Sequence, residues 1–153
     1  MIAEVAGEGK ELDLRVPGTQ RGDESGRAVR TVESTQLKET LRSDSKFYAP
    51  ATLGKNQAWT SGNGRAILRV QSDGNVVLYK NNRPVWQAPN VYPNADRLVM
   101  QSDGNLVVYN KAGKAHWAAG TWQKGRYLAV QDDGNVVVYN KSNQPVWATN
   151  TGD

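Results

Sequence analysis

The chain has no cysteine, one histidine, one phenylalanine and no glutamate anywhere in residues 47–153. Without cysteine there is no disulfide, no thiolate nucleophile and no cysteine-ligated zinc. A glycosidase needs two carboxylates flanking the scissile bond. A region without glutamate, in which one aspartate recurs per repeat and Asp132 adds a neighbour only in the last, does not supply that pair. His116 directly precedes a tryptophan and reads as a packing or surface residue, not a catalytic one. No apolar run is long enough to cross a membrane, and residues 1–20 lack the apolar stretch of a secretory leader. The expectation is a cytoplasmic protein or one exported without a classical signal, with no membrane insertion.

The 153 residues suit one domain plus an extension. Only 38% are hydrophobic, so the core is modest, and five Trp and six Tyr favour aromatics with a polar handle. The net charge of +4 is uneven: residues 1–46 hold 8 Lys/Arg against 9 Asp/Glu, and residues 47–153 hold 11 against 6. The basic residues are scattered and form no block, which reads as solubility and not as a nucleic-acid surface.

What is present is a repeat. Gln71–Tyr79 reads QSDGNVVLY, Gln101–Tyr109 reads QSDGNLVVY and Gln131–Tyr139 reads QDDGNVVVY, each starting 30 residues after the one before. At every second place the copies agree: Gln, Asp, Asn, Val, Tyr. Leu68, Leu98 and Leu128 lie three residues before each Gln, and Trp86, Trp117 and Trp147 lie 7, 8 and 8 residues after each Tyr. Alternation with period two and β-branched enrichment predict strands, and Asp-Gly between apolar runs predicts a hairpin. One unit is therefore strand, Asp-Gly turn, strand, polar turn, Trp-bearing strand. Such a unit cannot bury a face alone, but three can enclose a shared centre. Leu68, Val70, Val76, Leu78, Trp86 and their counterparts should point inward, in an all-β pseudo-threefold prism or barrel over residues 47–153. Residues 1–46 belong to no repeat. Leu12, Leu14 and Val16 alternate as in a strand, Pro17 to Arg27 reads as a loop, and residues 28–42 are weakly helical.

Packing explains the repeated apolar residues, but it does not require a carboxylate, two amides and a phenol in fixed order. Turn chemistry accounts for Asp-Gly-Asn and leaves the flanking Gln and Tyr unexplained. The five side chains can converge on one shallow patch offering acceptors, donors and a small apolar floor. That chemistry suits a neutral, hydroxyl-rich ligand such as a sugar. A calcium loop is the competing reading, but the EF-hand spacing and its closing Glu are absent. Ricin-type trefoils use longer repeats and a Gln-x-Trp signature not found here, and Arg21-Gly22-Asp23 is a chance tripeptide in a glycine-rich loop.

The motif resembles the Gln-x-Asp-x-Asn-x-Val-x-Tyr signature of the monocot mannose-binding (bulb-type) lectins and their microbial relatives. All three copies match at every defined position, and Trp147-Ala-Thr-Asn-Thr-Gly152 is similar too. The resemblance covers roughly residues 50–153. It implies a β-prism II fold and α-mannose held at Gln71, Asp73, Asn75, Val77 and Tyr79; at Gln101, Asp103, Asn105, Val107 and Tyr109; and at Gln131, Asp133, Asn135, Val137 and Tyr139. By that pattern Asp and Asn hold the axial O2, Gln bonds O3, Tyr bonds O4 and Val touches the C3–C4 face. It also implies mannose-rich glycans as partners, no cofactor, no metal, no catalysis, and a homodimer formed by exchange of Trp147–Asp153. The plant members carry an intrachain disulfide that this chain cannot form, and the 46-residue N-terminal segment is not part of the usual module, which points to a microbial relative. The alternatives are a protein-interaction module on the same fold, or a lectin-like bacteriocin, which would carry tandem prisms.

Overall fold

The computed structural model describes residues 43–153, and the expectations for residues 1–42 lie outside them. Asp44–Asp153 forms one compact unit. It contains twelve strands and no helix among the described residues. The strands are β1 (Ser45–Tyr48), β2 (Ala51–Gly54), β3 (Gln57–Thr60), β4 (Ala66–Val70), β5 (Val76–Lys80) and β6 (Arg83–Gln87). They continue as β7 (Arg97–Met100), β8 (Leu106–Tyr109), β9 (Ala115–Ala118), β10 (Tyr127–Val130), β11 (Val136–Tyr139) and β12 (Pro145–Ala148).

Each repeat forms the expected three-stranded meander: β4-β5-β6, β7-β8-β9 and β10-β11-β12. Each sheet nevertheless has four strands. The fourth comes from the segment before the repeats, which gives β3 to the first sheet, β2 to the second and β1 to the third. All the ladders are antiparallel.

The register shows why the extra strands attach where they do. Trp59, Leu53 and Phe47 stand opposite the repeated leucines Leu68, Leu98 and Leu128. Those leucines face Leu78, Val108 and Val138, which in turn face Trp86, Trp117 and Trp147. Every sheet thus carries one apolar row across all four strands. The three rows meet in a single core, with Leu68, Leu98 and Leu128 at most 2% exposed. Burying each of these leucines contributes about 1.5–3 kcal/mol. The three tryptophans close the centre as a triangle of edge-on rings, with centroids 5.4–5.6 Å apart. Phe47 stacks on Trp59 at 4.3 Å, which joins the first and third sheets.

A register shift recurs at one place in every unit, between Leu78 and Tyr79, Val108 and Tyr109, and Val138 and Tyr139. The third strand gains one residue there: Val85, His116 or Val146. A bulge of this kind re-aims the neighbouring side chain, and here that neighbour is the tyrosine of each motif. His116 occupies one such bulge, with Nε2 3.2 Å from Asn110 Nδ2.

Candidate functional site

The three motifs fold alike, and each builds one patch at the end of its sheet. The first strand ends just before the Gln, and the second starts just after the Asn. Between them the Gln N–H bonds the Asn carbonyl at 2.8–2.9 Å, and the Gly N–H bonds the Gln carbonyl at 2.8–3.0 Å. The turn needs a left-handed residue, supplied by Gly74, Gly104 and Gly134 with φ of 86°, 90° and 94°. Gly74 is doubly required, because a Cβ there would stand 1.9 Å from the Pro93 carbonyl oxygen.

Within each turn Oδ1 of the Asp accepts the Asn backbone N–H, at 3.0 Å for Asp73, 2.9 Å for Asp103 and 2.8 Å for Asp133. This local bond fixes the carboxylate and leaves lone pairs on its outer edge. In the first two patches the Gln amide also reaches the carboxylate, at 3.2 Å from Gln71 and 3.1–3.2 Å from Gln101. The Gln carbonyl in turn accepts the hydroxyl of Tyr79 or Tyr109. Tyr to Gln to Asp is thus a continuous chain with its polar atoms directed one way.

In the second and third patches the Asn side chain is held by the loop that follows the third strand. Thr121 N–H donates to Asn105 Oδ1 at 3.0 Å, and Thr149 Oγ1 donates to Asn135 Oδ1 at 2.9 Å. With the carbonyl engaged, the Nδ2 group of Asn105 and Asn135 is the part of the amide left to donate to a ligand. Asn75 is held by a different route: Oδ1 accepts Val76 N–H, and one Nδ2 proton goes to Gln87 Oε1 at 2.9 Å.

Val77, Val107 and Val137 lie on the opposite face of the strand from the core residues but are only 3–6% exposed. Val77 lies between Arg69 and Gln87, Val107 between Val99 and Ala118, and Val137 between Ala129 and Ala148. The apolar floor is therefore narrow.

The third patch differs from the other two although its motif is intact. Gln131 is buried, and its amide donates to Tyr139 Oη, reversing the direction seen in the other two. The segment after β12 folds over the turn: Thr151 N–H reaches Asn135 Oδ1 at 3.3 Å, and Asp153 N–H reaches the Asp133 carbonyl at 3.1 Å. Asp153 is pinned by Arg65, with Nη2 to Oδ1 at 2.8 Å, and by Lys80 at 2.9 Å. The hydrogen bond from Arg65, then that from Lys80, holds the Asp153 carboxyl well below the usual carboxylate range. Asn63 N–H and Asp44 Oδ1 bond Asp132 from the far side of the turn. Behind the patch Tyr127 stacks on Tyr139 at 5.2 Å, and burial, followed by Tyr48 and Tyr139, pushes the Tyr127 phenol up. Arg97 occupies that place behind Tyr109, and Ile67 behind Tyr79.

All fifteen residues expected from the motif are thus brought together in three groups of five. Of the supporting residues, Gln87 and Thr121 were not singled out from the sequence, and Thr149 and Thr151 entered only as part of the family-like segment Trp147–Gly152, with no role given to them. Extending the repeat past its tryptophan would have shown Thr four residues on in two of three units. Among the described residues, no group of three or more His, Cys, Asp or Glu side chains could hold a metal ion. The patches present neutral donors, a carboxylate and a phenol, which suits reversible hydrogen bonding to hydroxyls.

No protein-family model matches the chain, and no curated protein matches it either. Solved structures do. A lectin from Marasmius oreades is 36% identical over 70% of this chain and 91% of its own, with a TM-score of 0.65. A monomeric monocot mannose-binding lectin from Gastrodia elata is 39% identical over 71% of this chain and 98% of its own, with a TM-score of 0.63. The mannose-specific agglutinin of snowdrop (Galanthus nivalis) bulbs, solved with methyl-α-D-mannoside, is 34% identical over 72% and 99%, with a TM-score of 0.57.

Proposed function

The chain belongs to the bulb-type mannose-binding lectin family, with its β-prism II fold, and from that premise we propose that each of its three patches holds one α-mannose unit. As a lectin it binds carbohydrate and does not transform it. The observation that carries the finer reading is the shared wiring of the patches. In each, one carboxylate oxygen is spent on the Asn backbone N–H. The Asn carbonyl is engaged by backbone or threonine groups of its own unit, at Val76, Thr121, Thr149 and Thr151. In this reading the other carboxylate oxygen and an Asn amide proton, the second one at Asn75 because Gln87 takes the first, serve as the acceptor and donor that an axial hydroxyl needs.

In this reading Asp73 and Asn75 take O2, Gln71 takes O3, Tyr79 takes O4, and the edge of Val77 meets the C3–C4 face. The equivalent residues act in the other two patches. Each sugar hydrogen bond replaces one to water and gains about 1 kcal/mol net. Four or five of them give a dissociation constant on the order of millimolar for one sugar. Three weak sites on one prism suit mannose-rich glycans, where bridging raises avidity by about 10²–10⁴-fold. In the structure β12 pairs with β11 of its own chain. A dimer formed by exchange of Trp147–Asp153 would rebuild that ladder from a second copy, and light scattering on the full chain separates it from the closed monomer.

The test is retention on mannan-agarose and release by free methyl α-mannoside. Asn75→Ala, Asn105→Ala and Asn135→Ala, made singly, should each remove one site and weaken retention. A chain that is not retained would leave the mannose reading without support.

A further inference from the structure

Two large aromatic rings stand exposed beside two of the patches. Tyr92 is 62% exposed and Trp122 is 57% exposed. Among the described residues neither stacks on another ring or on a cation, whereas exposed Tyr48 has Tyr127 and Arg126 against it. Their positions are tied to the motifs. An open groove of about 470 Å³ runs from Asp73 and Asn75 past Gln87 and Pro89 to Tyr92. Trp122 lies between two residues whose backbone N–H groups bond the second motif: Thr121 to Asn105 Oδ1 at 3.0 Å, and Gln123 to the Asp103 carbonyl at 2.6 Å.

The third patch repeats this backbone arrangement without the ring. Thr151 N–H bonds Asn135 Oδ1, and Asp153 N–H bonds the Asp133 carbonyl, so the residue matching Trp122 is Gly152. A Cβ at Gly152 would stand 3.2 Å from Asp133 Oδ2. A side chain at this position therefore rises at the lip of the patch, next to the carboxylate. In the third unit that place is empty of side chain, and Arg65 and Lys80 bind Asp153 down beside it.

We propose that Tyr92 and Trp122 are platforms for a second sugar, so that the first two patches bind α-linked oligosaccharides more tightly than a single unit, while the third takes one terminal sugar. This rests on the mannose reading of the patches. A pyranose held by its hydroxyl edge at Asp and Asn leaves its linked neighbour over the adjoining loop. The neighbour's C–H face then lies on an aromatic ring that is more than half exposed and, among the described residues, carries no other ring or cation. An aromatic platform suits this task because it gives area at little cost in side-chain freedom and tolerates different linkages. Of the three loops, only those of the first two units carry such a ring.

The experiment is a residue-resolved NMR titration of the full chain with methyl α-mannoside and with the α1,2-, α1,3- and α1,6-linked mannobioses. The expected result is that at least one mannobiose binds patches 1 and 2 about threefold to tenfold more tightly than the monosaccharide, the size of one aromatic face contact. Patch 3 should show no such gain. Tyr92→Ala should bring the mannobiose-to-mannoside ratio toward one at patch 1, Trp122→Ala should do so at patch 2, and Tyr92→Phe should keep the gain. Both rings are exposed, so these variants keep the core intact. Equal affinity for mono- and disaccharide at patches 1 and 2, a matching gain at patch 3, or a gain that survives both alanine variants would overturn the proposal. If methyl α-mannoside and every mannobiose leave all three patches unmoved, the mannose reading itself fails, and the platforms fail with it.

Discussion

The backbone N–H of Thr121 meets Oδ1 of Asn105 at 3.0 Å, joining the loop after β9 to the turn before β8. The Thr121 side chain, 1% exposed, completes the joint: Oγ1 donates to the Gly104 carbonyl at 2.8 Å and accepts Leu106 N–H at 3.2 Å. One threonine therefore holds the motif asparagine, its turn glycine and the start of the next strand. Thr121→Val keeps the volume and removes both hydroxyl bonds, leaving buried backbone groups without partners. The expected cost is about 1–3 kcal/mol in urea unfolding, together with weaker mannoside shifts at Asn105 and unchanged shifts at Asn75.

Gly74 supports a second prediction. Its φ of +86° is unfavourable for any side chain, and a Cβ would also collide with the Pro93 carbonyl oxygen. The backbone term alone exceeds about 1 kcal/mol, and the collision adds to it because the neighbour is main chain. Gly74→Ala should lower the melting temperature and displace the loop that carries Tyr92. Patch 1 should lose affinity while patches 2 and 3 keep theirs.

Acid should act on the third patch through Asp153. Its folded-state pKa is depressed by Arg65 and then Lys80, so the stabilisation is complete above the ordinary carboxylate value of 3.8, declines below it, and the tether itself is lost only as pH falls through the lower folded value. The group is exposed, so the stabilisation is small and salt weakens it. The amides of Thr151 and Gly152 should hold their positions from pH 7 down to pH 5 and move only in stronger acid. Asp153→Asn should release them at neutral pH.

Chelation should change nothing at the patches, since their donors are amides, a carboxylate and a phenol with no metal-holding cluster among the described residues. Retention on mannan-agarose in excess EDTA should equal retention in added calcium. Loss of retention with EDTA would require an ion that these donor sets do not account for.

Much of this was legible in the sequence because the repeat carries its own alignment. Leu68, Leu78 and Trp86 recur at fixed spacing, and the structure lays them side by side across one sheet. The fourth strands were not legible. Each of β1, β2 and β3 is four residues long, follows no period of 30 and offers one large apolar residue: Phe47, Leu53 or Trp59. Their placement depends on which leucine each can face, which is a tertiary matter. The asymmetry of the third patch was hidden for a similar reason. Its five motif residues match the other copies, while Asp44, Asn63, Arg65 and Lys80, which bond Asp132 in its turn and Asp153 after β12, lie far away in sequence.

The most direct test of the account is a residue-resolved titration of the full chain with methyl α-mannoside and, separately, methyl α-glucoside, which differs only at O2. Saturating shifts are expected at the amides of Asn75, Asn105 and Asn135, with a dissociation constant on the order of millimolar for the mannoside. Loss of the two O2 bonds should weaken the glucoside by about tenfold or more. Equal affinity for the two sugars, or no mannoside shift at any of the three asparagines, would contradict it.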